Sequence, residues 1–235
     1  MGSDNTERTR ATPPKRKRGG LRWLSGYPLV LVFIAGSYWV TAFQDTDNLR
    51  AIVLLIQLVT VAIVFHTVRL RRSIQRVSWW VLGSSMVLSI AVLISGLVSQ
   101  TLDVVLAIAV TLAYLVAPVV ILSTELRRQK TDQQTLFAVV CTYLFIGMFF
   151  TYFYHALALW TPEPIFAGGQ PDHLTNIVFF SFTTLTTIGY GNMIPAGAGV
   201  QSIAIGEAIT GQLFLIIAVA HVASGWSHAL RNPTQ

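Results

Sequence analysis

Six stretches of the chain are apolar for long enough to approach or cross a bilayer, and polar or charged loops separate them. A hydrocarbon core of roughly 30 Å needs about 20 mainly apolar residues in a helix. The runs are Tyr27–Phe43, Ala51–Val68, Val77–Val98, Val104–Ser123, Leu136–Trp160 and a last one from about Val200 to Trp226. The first is the shortest, and Leu21, Trp23 and Leu24 extend it inward. Pro118 in the fourth reads as a kink, which membrane helices tolerate when neighbours satisfy the freed carbonyl. Between the fifth and sixth lies a shorter apolar stretch, Leu174–Leu185. The pattern predicts an all-α integral membrane protein: six transmembrane helices, with a re-entrant segment between the fifth and sixth.

Composition agrees. Of 235 residues, 53% are hydrophobic and only 11% charged, against roughly a quarter charged in a soluble domain. An ordinary water-soluble protein is excluded. The net charge of +6 is informative through its placement. Six crossings put fifteen of the sixteen basic residues on one face: the N-terminal segment, Arg69–Arg76, Arg127–Lys130 and Arg231. Arg50 falls on the other face with Asp45, Asp47, Asp103, Glu163 and Asp172. Positive loops stay cytoplasmic, so both termini are expected there, in a multi-pass protein of the plasma membrane. The basic clusters read as topology signals that attract anionic lipids, and no nucleic-acid motif accompanies them. Residues 1–22 read as a disordered basic cytoplasmic tail leading into an uncleaved signal anchor. Cys141 has no partner for an intrachain disulfide and sits in an apolar run, where it reads as a small buried residue.

The chemistry is carried by DHLTNIVFFSFTTLTTIGYGNMIP, Asp172–Pro195. Asp172 is a suitable N-cap for a short helix over Leu174–Thr186, about 20 Å long, enough to enter the membrane but not to leave it. Thr187-Ile188-Gly189-Tyr190-Gly191 then returns in extended form. Such backbone is tolerated at membrane depth only when it is buried in protein or lines water. A dehydrated cation needs oxygen ligands in place of its water shell. A ladder of carbonyls aimed at one axis requires positive φ at some positions, which glycine adopts at little steric cost. Gly189 and Gly191, two apart, suit such a strand. The Thr187 hydroxyl adds an inner ligand, and Ile188 and Tyr190 point away from the axis. One strand per chain cannot surround an ion, so several chains are required.

This stretch resembles the pore helix and selectivity filter of tetrameric potassium channels, and is especially similar to bacterial members with SFTTLTTIGYG, often grouped with two-pore-domain relatives. Those relatives can carry two pore loops per chain, where this sequence has one. The resemblance covers Leu136 to about Trp226. It implies a prokaryotic homotetramer with K⁺ held by the carbonyls of Thr187, Ile188, Gly189 and Tyr190. Asn192 stands where many members have Asp, and Thr183 where the best-known bacterial pore has Glu. A carboxylate brace behind the filter is therefore missing, or replaced by a neutral Thr183–Asn192 arrangement. Gly191, Asn192 and Thr183 are the expected filter supports.

In the last span, Gly211 falls at the family's inner-helix hinge, and close helix packing through a small residue is an equal reading. Gln212, Leu215 and Val219 share a helix face, which by resemblance lines the cavity. Glu207 is the acid deep in a span, a functional candidate by default; a structural hydrogen bond to the pore helix or a neighbouring span is favoured over a regulatory role. A voltage sensor needs regularly spaced basic residues within a span, and the fourth span has none. The expected organisation is a tail (1–22), a four-helix peripheral domain (23–130), a pore domain (131–229) and a short cytoplasmic tail (230–235). The expected function is passive, potassium-selective conduction, not gated by a conventional voltage sensor. A weakly selective cation channel and an ion-transporter subunit are the alternatives. An enzyme is not expected, because the five histidines are scattered and Ser181 lacks a partnered His and Asp.

Overall fold

The computed structural model describes residues 27–42, 100–125 and 133–231, with isolated helical positions at 59–60, 62–63, 83 and 87. Apart from those isolated positions, the second and third expected spans lie outside the described residues, as do the basic tail and the basic loops at 69–76 and 127–130. Among the described residues the chain is all-helical. The long elements are α1 (Tyr27–Ala42), α2 (Gln100–Glu125), α3 (Gln133–Trp160), α4 (Leu174–Leu185) and α5 (Gly197–Arg231). A short 3₁₀ turn, Ala167–Gly169, lies between α3 and α4. Among the described residues three helices, α2, α3 and α5, are long and apolar enough to cross a membrane. α1, at 16 residues, is shorter, and α2 runs through Pro118 without a break.

The helix faces follow from residue spacing. α1 buries Tyr27, Val30, Ile34, Ser37 and Thr41, a stripe at intervals of three and four. α2 brings Ala107, Ala113 and Ala117 to its buried side, and such small residues let helices approach closely. It meets α3 along the most extensive helix pair in the structure. α3 is the hub, touching α1, α2, α4 and α5. Tyr114 of α2 stacks on Tyr152 of α3 with ring centroids 5.4 Å apart. Several buried hydroxyls are satisfied within their own helices, among them Thr111, which donates to the Ala107 carbonyl at 2.7 Å, and Thr142, which donates to that of Ala138 at 2.7 Å. Back-bonding of this kind lets Thr enter an apolar interior without an orphaned donor.

α1 shares its core with α4. Val178 of α4 belongs to the buried cluster of α1, α2 and α3, and Tyr38 of α1 meets the Phe182 ring edge-on at 5.0 Å. A second cluster, with Tyr154, Ile165, Phe166, Ile177, Phe180, Met193 and Ala204, joins the ends of α3, α4 and α5. The segments before α4 and after its loop are laced together. The Ala167 N–H donates to the Ile194 carbonyl, and the Ala196 N–H to the Ile165 carbonyl, both at 2.8 Å.

One expectation is corrected here. α4 begins at Leu174 with His173, not Asp172, as its N-cap. The Asp172 carboxylate instead accepts the Ile165 N–H at 3.2 Å. That contact turns the side chain toward the connector, and Asp172 stands one residue ahead of the cap position.

Candidate functional site

α4 holds 12 residues, about 18 Å of helix, and stops well short of a bilayer's width. Its end is set by a double cap. The Ile188 N–H donates to the Thr183 carbonyl at 2.9 Å, spanning six residues, and the Thr187 N–H donates to the Thr184 carbonyl at 3.0 Å inside it. This 6→1, 5→2 pairing places the residue after the cap in the left-handed region. That residue is Thr187, with φ 59°, the one non-glycine at positive φ among the described residues. The Gly189 N–H also donates to the Thr183 carbonyl, at 3.1 Å, so one carbonyl of α4 fastens two successive residues of the loop, Ile188 and Gly189.

Beyond the cap, φ alternates in sign. Thr187 (59°), Gly189 (55°) and Gly191 (79°) are positive, and Ile188 and Tyr190 are not. An ordinary strand turns successive carbonyls to opposite sides; residues that alternate between the two φ signs turn them toward a common side. The loop therefore has the backbone signs that a one-sided carbonyl ladder needs. Tyr190 lays its ring on Phe179 of α4, centroids 5.7 Å apart and nearly parallel. Ile188 and Tyr190 keep 57% and 68% of their surface exposed.

The expected supports divide. Thr183 holds the loop through its main-chain oxygen, while its hydroxyl donates to the Phe180 carbonyl at 3.0 Å. Asn192 is exposed in the turn after Gly191. Within one chain no hydrogen bond joins Thr183 to Asn192 among the described residues.

α5 packs one stripe, Ala204, Glu207, Gly211 and Ala218, against the rest of the chain. A Cβ at Gly211 would strike the Leu185 carbonyl oxygen and its Cδ1, so the glycine is a close-packing position between α5 and the end of α4. The Leu185 carbonyl also accepts the Tyr143 hydroxyl at 3.2 Å. Gln212, Leu215 and Val219 share an exposed flank beside that stripe. Glu207 is fully buried. Its carboxyl takes Ser181 Oγ at 2.6 Å and the Tyr154 hydroxyl at 2.9 Å. The sequence reading missed Tyr143, Tyr154 and Ser181 as partners, because pairings between helices leave no local pattern.

It missed Gly147 as well. A Cβ there would lie 2.7 Å from the tip of the Phe182 ring and 2.9 Å from its Cε1. A glycine in mid-span was the available signal. Gly147→Ala is expected to cost about 1–3 kcal/mol from overpacking. Phe182→Leu, which shortens the obstructing side chain, should recover part of it, so that the double variant falls short of the sum by more than about 0.5 kcal/mol. Thermal unfolding of the four proteins in detergent measures this coupling; strict additivity would contradict the packing described.

Residues 138–225 match the family model described as "Ion channel", and this segment contains most of α3, all of α4, its loop and most of α5. The chain is also 35% identical over 65 residues to the inward rectifier potassium channel Kirbac3.1 of Paramagnetospirillum magnetotacticum, an overlap of 28% of this chain and 22% of the relative. It is 30% identical over 105 residues to the protein LctB of Bacillus caldotenax, covering 42% of this chain and 78% of that one.

Proposed function

Because the chain belongs to the ion-channel family, we propose that it is a potassium-selective channel in which four identical subunits set their 187–191 loops around one axis. The carrying observation is the alternation of φ at Thr187, Gly189 and Gly191 directly after a capped helix too short to span. Carbonyls of Thr187, Ile188, Gly189 and Tyr190, with the Thr187 hydroxyl, replace the hydration shell of K⁺. The name of one relative, a potassium channel, supports the choice of ion. α4 is the re-entrant pore helix. Its carboxyl end directs partial negative charge at a cavity lined by Gln212, Leu215 and Val219. The apolar surface of α5 left uncovered in one chain, Ile205, Ile209, Leu213 and Ile217 among it, supports assembly, since large exposed apolar areas mark protein or lipid contacts. The pore lies in the plasma membrane with both chain ends cytoplasmic, as the basic loops favour. α2 carries no Lys or Arg, which supports gating by something other than a conventional voltage sensor.

Reconstitution into liposomes with an outward K⁺ gradient tests the reading. Uptake of ⁸⁶Rb⁺ is expected to be rapid and uptake of ²²Na⁺ close to that of protein-free vesicles. Equal entry of the two ions would reject selectivity and leave a weakly selective cation channel. No entry of either, from correctly assembled tetramers across a range of voltage, pH and lipid composition, would reject conduction.

A further inference from the structure

We propose that Glu207 is a positioning residue for the filter, a buried carboxyl that pins the inner helix to the pore helix and the outer helix at one point; the proposal rests on the channel reading above. Three elements converge on it. Ser181 Oγ of α4 lies 2.6 Å from Glu207 Oε1 and 2.9 Å from the Gly147 carbonyl of α3. The Tyr154 hydroxyl of α3 donates to Glu207 Oε2 at 2.9 Å. Glu207, Ser181 and Tyr154 are all fully buried. A carboxyl at such depth is costly unless its hydrogen bonds are made, so the arrangement resists any motion that separates the three helices.

The connection to the filter is short. Ser181 precedes Thr183 by two residues, about 3 Å of helix rise, and the Thr183 carbonyl fastens the Ile188 and Gly189 N–H groups. A shift of Ser181 is therefore delivered to the first ligands of the ladder with no flexible link between. The same pair of helices is pinned again one turn on, where Gly211 seats the Leu185 carbonyl. The two contacts, 181 with 207 and 185 with 211, have the same offset in sequence, as expected for helices that run side by side in the same direction. Together they fix both the spacing and the slide of α4 against α5. Behind the filter the Thr183 hydroxyl donates to the Phe180 carbonyl and the Tyr190 ring rests on Phe179, and neither contact involves a carboxylate. The carboxyl that stiffens this pore comes instead from the inner helix, and a displacement of that helix reaches the filter through it.

The variants are Glu207→Ala, Glu207→Gln, Tyr154→Phe and Ser181→Ala, each purified as the full-length tetramer. The readout is the K⁺/Na⁺ permeability ratio from reversal potentials in planar bilayers. Glu207→Ala is expected to lower the ratio at least about tenfold, the scale of hydrogen bonds lost around a buried polar group. Glu207→Gln should restore it to within about threefold, since its carbonyl accepts from Tyr154 and its amide donates to Ser181 Oγ. Ser181→Ala should add little to Glu207→Ala when the two are combined. If Glu207→Ala does not assemble, Tyr154→Phe, which deletes one hydroxyl and keeps the ring, still decides the matter, with an expected drop of about threefold. A selective wild-type protein whose Tyr154→Phe and Glu207→Ala tetramers keep its full selectivity would overturn the clamp alone. A wild-type tetramer that passes Na⁺ and K⁺ equally would overturn the potassium reading, and the clamp with it.

Discussion

Gly189→Ala protein is expected to take up ⁸⁶Rb⁺ at least about 100-fold more slowly than the wild type in the liposome assay. The reason is conformational. Gly189 holds φ at 55° with nothing within 4 Å of where a Cβ would stand, so space is not the obstacle. An L-residue in the left-handed region loses roughly 1–2 kcal/mol, which becomes about 4–8 kcal/mol when four chains must adopt it around one axis. The Gly189→Ala chain escapes by leaving the positive-φ region, and the carbonyl that Gly189 aims inward turns aside. Assembly, governed mainly by helix faces, should survive and is read by size-exclusion chromatography. A Gly189→Ala tetramer with wild-type flux and selectivity would reject the assignment of the carbonyl ladder.

Gly211→Ala carries the second large effect, for a different reason. Gly211 has ordinary helical backbone, and the obstruction is the Leu185 main-chain oxygen. That oxygen cannot retreat freely, because it accepts the Tyr143 hydroxyl and belongs to the last residue of α4, which the cap bonds to Thr183 and Thr184 hold in place. Overpacking against backbone is expected to cost about 1–3 kcal/mol per chain. The tetramer's thermal midpoint should fall clearly, along with its flux. A hinge glycine would behave otherwise: the midpoint would hold while open probability alone changed. Measuring both quantities on one preparation separates the two readings, and an unchanged midpoint would contradict the packing role.

Much of the site was legible in the residues because its signals are local. Length and apolarity gave the limits of α2, α3 and α5 to within a few residues, and set Leu174–Leu185 apart as too short to cross. The positive φ of Gly189 and Gly191 followed from what a one-sided row of carbonyls demands. Thr187 was less visible. A β-branched residue is a poor candidate for the left-handed position, which glycine usually fills after a helix. It is held there by the two cap bonds to Thr183 and Thr184, a strain that persists where surrounding structure over-determines it.

What escaped the sequence was tertiary. Asp172 had the right chemistry for an N-cap, but Ile165 offered its N–H from the preceding connector and took the carboxylate. Glu207 stood out as an acid in a span, yet Ser181 and Tyr154 are distant in sequence and meet it only once three helices pack. The placement of α1 was equally hidden. Its buried stripe is evident as periodicity, but nothing in that stripe says that Tyr38 and Thr41 reach α4, through the Phe182 ring and the Thr175 hydroxyl. The family match begins at residue 138, well after α1, although this helix buttresses the short helix that carries the loop.

The most direct test is the structure of the assembled protein in a lipid bilayer, determined in K⁺ and again with Tl⁺ in its place. Ion density on a fourfold axis, at the level of the Thr187, Ile188, Gly189 and Tyr190 carbonyls of four chains, is the expected result. Loops at 187–191 that turn away from any symmetry axis, or a particle with one subunit, would contradict it.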